Sequence, residues 1–372
     1  MRFVPCPLAV IAATLLSLDA AAHTPADPPH QTHCMGELKL EGGGAIRDFC
    51  ISYVTHGTLN PNKSNAILMA TAIGGNHHRI DYLIGPGRAL DPSRYFIVAT
   101  DAIGNGLTTS PSNSKSQPKM RFPRFSIRDM VSSQQRLVAE KLGIKRLVAV
   151  VGASMGGMQA LQWAVSYPDA MDSVVPIIPL SRTPAWTTGV LEMLRQSIMA
   201  DPKWKGGNYA ANEPPEQGMR LWAGWLTGVI VRTPGFQESS FPNGQDAIGF
   251  LKSVEDAGWR RMDAVDWVYQ SWAYEQHNVG TTPGFNGDYR KALRAIKAKT
   301  LILAGTGDLL NPEYEAQEAA VYIRDVRYVP INEQRPLGHL SGAGATVPET
   351  ELQNAAISAF LELVTEQGKK IQ

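Results

Sequence analysis

Excess charge of either sign is missing from this chain. Its 372 residues hold 35 Lys+Arg against 34 Asp+Glu, a formal net charge of +1. There is no basic footprint for nucleic acid and no polybasic or acidic tail, so those partner classes drop out. Long hydrophobic runs are missing too. Beyond the N-terminus no stretch reaches 18 apolar residues, so the body is expected to be soluble, with no stable membrane insertion. Internal repeats and low-complexity segments are absent. With 44% hydrophobic and 19% charged residues the chain is not a disordered one. What remains is a small-molecule enzyme or a neutral binding module, long enough for one large α/β domain with an insertion.

Cysteine is scarce, with only Cys6, Cys34 and Cys50. The first of them falls in a secretory signal pattern. Arg2 is a short positive region, residues 4–18 are mostly apolar, and Ala20-Ala21-Ala22 supply small residues before a cut that would leave His23 first. An uncleaved anchor is the alternative. Residues 1–22 are therefore read as a signal peptide, residues 23–35 as a loose tail, and the mature protein as periplasmic or secreted. The two remaining cysteines flank a pattern that looks like a hairpin turning at Gly42-Gly43-Gly44. Cys34 and Cys50 would then lie nearly opposite each other. A disulfide there would contribute on the order of 3 kcal/mol, and two free thiols are the alternative.

Further on, short apolar runs at 66–70, 95–100, 146–151 and 173–178 alternate with helical periodicity at 126–142 and 154–167. That is the signature of a parallel, doubly wound sheet. From residue 182 to 286 no strand stands out. Helix-like pieces broken by Pro and Gly replace them, and seven of the eight Trp lie there. The sheet pattern resumes at 300–304 and 326–331, with helices at 312–323 and 348–366. The expected organisation is an α/β core from residues 36–181 and 287–372, interrupted by a helical insertion at 182–286.

The run Gly152-Ala153-Ser154-Met155-Gly156 sits between a strand and a helix. In that setting G-x-S-x-G marks a sharp turn that lifts a serine hydroxyl above the sheet. A tight packing turn without chemistry is the competing reading. A serine nucleophile needs a base and an orienting acid, which in this architecture follow it as Asp or Glu, then His. Asp308 stands at the end of the 300–304 strand, and His339 is the sole histidine after His277. Asp308 could instead be an ordinary turn residue. Two oxyanion donors are expected, the N–H of Met155 and that of Ile73 in the loop after residues 66–70. His277 reads as structural. His77 and His78 form a pair, but no carboxylate or cysteine stands beside them at ligand spacing, so neither metal nor cofactor is expected.

Several segments also resemble the homoserine O-acetyltransferase-like branch of the α/β-hydrolase superfamily. They are residues 90–96 (LDPSRYF), Phe122-Pro123 with 127–131 (IRDMV) and Gln134-Gln135, residues 151–164 (VGASMGGMQALQWA), and residues 200–207 (ADPKWKGG). The resemblance spans about residues 45–365. It implies a helical lid over Ser154, a homodimer through the lid, an acyl-serine mechanism, and Ser154, Asp308 and His339 as triad with Met155 and Ile73 as oxyanion hole. Two departures bear on the acceptor. The aspartate that follows the histidine in the homoserine enzymes is Leu340 here, and the first-lid-helix arginine aligns with Ala223. Burying a zwitterion without such partners costs several kcal/mol. The expected activity is therefore hydrolysis of an ester or related acyl compound; the Trp- and Leu-rich lid suggests an apolar acyl or aromatic pocket, with lid core as the alternative for the same residues. Acyl transfer to another acceptor is the alternative.

Overall fold

The computed structural model describes residues 27–331, 334 and 336–371. The signal pattern, Cys6 and the expected cut before His23 lie outside them. Eight strands form one sheet in the order β1-β2-β4-β3-β5-β6-β7-β8. These are β1 Gln31–Lys39, β2 Ala45–His56, β3 Ala66–Ala70, β4 Phe96–Thr100, β5 Leu147–Ala153, β6 Met171–Ile177, β7 Lys299–Gly305 and β8 Val326–Ile331. β1, β2 and β4 pair antiparallel, and all other pairs are parallel. The central strands β3 and β5 are buried along their whole length, which is why they read as unbroken apolar runs rather than alternating ones.

The helices are α1 Ile127–Arg136, α2 Met155–Ser166, α3 Ala185–Met199, α4 Glu216–Ala223, α5 Pro234–Ser240, α6 Gly244–Gly258, α7 Ala264–Glu275, α8 Tyr289–Arg294, α9 Glu313–Tyr322 and α10 Val347–Ile371. Helices α3 to α7 fall within the expected insertion. Ser126 starts α1 with a capping box, its hydroxyl accepting from Asp129 N while the Asp129 carboxylate takes Ser126 N. One large core lies on the face carrying α1, α2 and the insertion. A second lies under α10 on the other face.

The expected tail at residues 23–35 needs correction. β1 begins at Gln31, because residues 31–34 pair with Ser52, Tyr53 and their neighbours on β2. Ladder hydrogen bonds, not composition, make that segment a strand. Cys34 is the register partner of Cys50, and the two are bonded. No helix among the described residues is long and apolar enough to cross a membrane.

Candidate functional site

β5 ends in the turn that carries Ser154, whose backbone is held at φ 58°, ψ −120°. The turn tolerates no side chain at the glycines two before and two after Ser154. A Cβ on Gly152 would lie 2.4 Å from Gly156 O, and one on Gly156 would lie 2.3 Å from Ala70 O. The glycines two before and two after the serine thus let α2 pack down on β5 and on the end of β3. Helix α2 then starts at Met155, whose N–H belongs to the unsatisfied first turn and lies directly behind the serine.

The two other predicted side chains arrive from neighbouring strand ends. Asp308 follows β7 and is buried. Its Oδ1 accepts from Leu310 N and Asn311 N, each at 2.8 Å, and its Oδ2 accepts from His339 Nδ1 at 2.7 Å. His339 lies in the short turn Gly338–Ala343 beyond β8. That turn reaches the sheet because β7 ends in Gly305, where a Cβ would sit 2.7 Å from Gly338 O. His339 Nε2 is 2.9 Å from Ser154 Oγ. Three residues 154, 308 and 339 positions along the chain therefore form one hydrogen-bonded line.

Ile73 sits in the loop after β3, facing the same cavity as Ser154. Three contacts fix this loop. Gln159 Nε2 donates to Thr71 O at 2.9 Å, Gln270 Oε1 accepts from Gly74 N at 2.9 Å, and Thr71 Oγ1 donates to Asn76 O at 2.6 Å. Gln159 is held in turn by Gln134 Nε2 at 2.6 Å, and Gln134 Oε1 takes the indole N–H of Trp163 at 2.8 Å. The Gln and Trp of the segments quoted above are thus a buried polar network joining α1 and α2 to the Ile73 loop.

Two side chains that no local sequence signal marked also belong here. Tyr274, on α7, is buried and places its Oη 3.5 Å from Ser154 Oγ. It donates to Asn311 Oδ1 at 2.5 Å, and Asn311 Nδ2 donates to Ile178 O at 2.7 Å. The chain Ser154–His339–Asp308–Asn311–Tyr274 therefore closes into a ring. Burial pushes the Tyr274 phenol well above its ordinary pKa, so it stays protonated. Asn311 sits three residues beyond Asp308, whose Oδ1 accepts from its backbone N–H.

The serine opens on a cavity of about 950 Å³. Trp222, Leu226, Val231, Met262 and Leu340 give it an apolar side. Arg79, Arg260, Arg261, Asp263 and Asp266 also line it, so the cavity is mixed, with charged groups beside the apolar wall that the lid composition suggested. Asp266 accepts from Ser112 N at 2.9 Å and Ser112 Oγ at 2.5 Å, and burial pushes its carboxyl up to about 8. Trp204, Trp222, Trp259 and Trp267 are buried, and the Trp222 and Trp267 rings meet edge-on at 5.2 Å. The tryptophan-rich insertion is thus largely packing, with Trp222 reaching the cavity. His277 is buried, bonds Leu180 O through Nε2 at 3.1 Å, and is pushed by burial down to about 4, a neutral structural group. His77 differs from expectation. Asp101, 24 residues away, lies 3.0 Å from its Nδ1. Carboxylates do accompany the pair, Asp101 at the end of β4 beside His77 and Asp81, three residues along the chain, 2.6 Å from His78 Nδ1.

Comparison with known proteins fits this geometry. Residues 65–223 match the family model described as alpha/beta hydrolase fold. A homoserine O-acetyltransferase of Leptospira biflexa is 32% identical over 368 residues, covering 91% of this chain and 94% of that one. The chain belongs to the homoserine O-acetyltransferase-like family of α/β hydrolases. Among solved structures of that fold, the acetyl esterase MekB superposes with a TM-score of 0.82 at 30% identity, covering 90% of this chain and 97% of that one. An acetylester hydrolase from Corynebacterium glutamicum gives a TM-score of 0.82 and 30% identity, covering 90% and 96%. The family thus contains enzymes named for acyl transfer and for ester hydrolysis. The two positions at which the resemblance led to an expected departure are apolar. Ala223 is fully buried, and Leu340 packs with Phe236 and Leu337.

Proposed function

We propose that this protein is an exported serine hydrolase that cleaves an ester or related small acyl compound through an acyl-Ser154 intermediate. The line Asp308–His339–Ser154 carries the reading, at 2.7 and 2.9 Å with Ser154 facing the cavity. His339 Nε2 removes the serine proton as Oγ attacks the carbonyl carbon, while Asp308 holds Nδ1–H and stabilises the imidazolium. The N–H groups of Met155 and Ile73 receive the oxyanion. Collapse expels the alcohol, protonated by His339. Water, deprotonated by the same imidazole, then attacks the acyl carbon and frees Oγ. The bonded Cys34–Cys50 pair supports export, since such bonds persist in oxidising compartments.

Transfer to an acceptor other than homoserine is the second reading. The charged side chains Arg79, Arg260 and Arg261 on the cavity wall favour it, because they could hold a polar acceptor. The deciding experiment follows p-nitrophenyl acetate turnover while homoserine or simple alcohols are added. Hydrolysis predicts acetate as the product even at millimolar homoserine. Efficient formation of O-acetylhomoserine would overturn it. Ser154→Ala should lose several orders of magnitude in kcat, and a fluorophosphonate should label the wild type alone. Absence of labelling would leave a binding module instead. We also propose a homodimer through the lid, supported by exposed Trp186, Met193 and Trp225 on the lid segments. Light scattering of the pure protein tests it, and a monomeric mass would refute it.

A further inference from the structure

We propose that His30, His77 and Asp101 form a binding site for a divalent transition-metal ion at one end of the cavity that holds Ser154. One ligand atom from each of the three lies within 4.8 Å of the other two. Two imidazoles and a carboxylate are the donor set that zinc-like ions prefer. His30 and His77 also line the cavity.

The buried half of the site is already organised. Asp101 receives Ser52 Oγ at 2.8 Å, His77 N at 3.0 Å and Asn105 Nδ2 at 3.0 Å, which fixes the carboxylate at the end of β4. His77 is as buried as Asp101, with its Nδ1 3.0 Å from Asp101 Oδ2. A metal at roughly 2.0–2.2 Å from each donor needs donor atoms about 3–3.5 Å apart. The His77–Asp101 pair has that spacing, the metal replacing the proton that Nδ1 shares with Oδ2 and releasing it to water, and exposed His30 is the partner that must close in. His30 has a firm base for this, because Gln31 Nε2 bonds Thr55 Oγ1 at 2.9 Å and Cys34 is bonded to Cys50.

The His77 ring also meets those of His30 and His78 at 4.4 and 4.3 Å between centroids, so three imidazoles gather at this end of the cavity.

The test uses the mature, tag-free chain, stripped with chelator and titrated with ZnCl2 by calorimetry, with Co2+ absorption as a geometric readout. One equivalent should bind the wild type. His30→Ala should weaken binding at least tenfold with unchanged thermal unfolding, and His77→Gln should weaken it further. His33→Ala, on β1 nearby, should bind as the wild type does. If His77→Gln does not fold, His30→Ala decides, because that side chain is exposed. Absence of saturable binding, or wild-type affinity in His30→Ala, would overturn the assignment. Binding is measured without turnover, and Ser154→Ala should bind Zn2+ as the wild type does. The outcome is therefore separate from the proposed hydrolysis.

Discussion

Asp308→Asn is the sharpest perturbation of the proposed site, because the surroundings dictate how the new amide must lie. In the wild type, one carboxylate oxygen takes two backbone N–H groups, from Leu310 and Asn311, and the other takes His339 Nδ1. An asparagine has one oxygen and one NH2. Turning the NH2 toward Leu310 and Asn311 would face donors with a donor and leave two buried N–H groups unpaired, at about 1–3 kcal/mol each. The oxygen therefore stays with the backbone, and the NH2 faces His339. It can then only donate to Nδ1, which puts the ring proton on Nε2. That nitrogen is the one 2.9 Å from Ser154 Oγ. It can no longer accept the serine proton. A wrong tautomer in an Asp–His–Ser line costs about 10⁴ in kcat, or about 5.5 kcal/mol of transition-state stabilisation. Folding should be spared, since the backbone bonds persist. Initial rates on p-nitrophenyl acetate beside a thermal unfolding curve measure both quantities. A loss of less than tenfold with intact folding would refute the tautomer argument and remove Asp308 from the proposed mechanism.

Three further predictions follow from the same environment. The Asp266 carboxyl, raised to about 8 by burial, ionises near 3.9 when unfolded, so the folded state holds the extra proton between those values and stability falls as pH rises through that window. Denaturation from pH 5 to 8 should show a slope of up to about 1.4 kcal/mol per pH unit that Asp266→Asn removes; equal slopes would refute it. Reducing the Cys34–Cys50 bond, which closes a 16-residue separation, should cost about 3 kcal/mol in urea unfolding, and an unmoved midpoint would contradict that. Tyr274→Phe leaves Asn311 Oδ1 without its donor, so stability should drop by about 1–3 kcal/mol while kcat falls less than tenfold. A hundredfold fall in kcat would give the phenol a direct part in the reaction.

The strands were the most legible part of the molecule. β3, β5 and β7 are buried on both faces, so their apolar β-branched runs survive as a plain sequence signal. Ser154, Asp308 and His339 were legible for a related reason. Ser154 and Asp308 follow the buried strands β5 and β7, His339 comes after the partly exposed β8, and a parallel sheet delivers the ends of its strands to one edge. The insertion was read less well. Helix α5 starts at Pro234 behind a Thr233 cap, but its seven residues are too few to show a period. The pairing of His77 with Asp101 and the bond from Tyr274 to Asn311 depend on tertiary contact, 24 and 37 residues apart, and nothing in a linear pattern reports them. Residues 31–34 read as a tail because an edge strand made by pairing needs no apolar run of its own.

The division between what was legible and what was not follows the chemistry itself. Groups proposed to break the acyl bond hang from strand ends, so they are fixed by the sheet and hardly depend on the lid. Groups proposed to choose what receives the acyl unit come from the lid and its contacts. Leu340 is held by Val231 O through its own N–H at 3.1 Å, and Gln270 on α7 ties down the Ile73 loop. A lid helix can therefore exchange a charged acceptor handle for an apolar wall while the distances of 2.7 and 2.9 Å between the three sheet-borne groups stay as they are. On this reasoning the family's two activities differ in the lid and not in the nucleophile. The buried Ala223 is the test case. A Cβ on Gly258 would already come within 2.9 Å of it, so an arginine at 223 has no room unless α6 moves. Restoring that one side chain should therefore destabilise the fold before it confers transfer to homoserine.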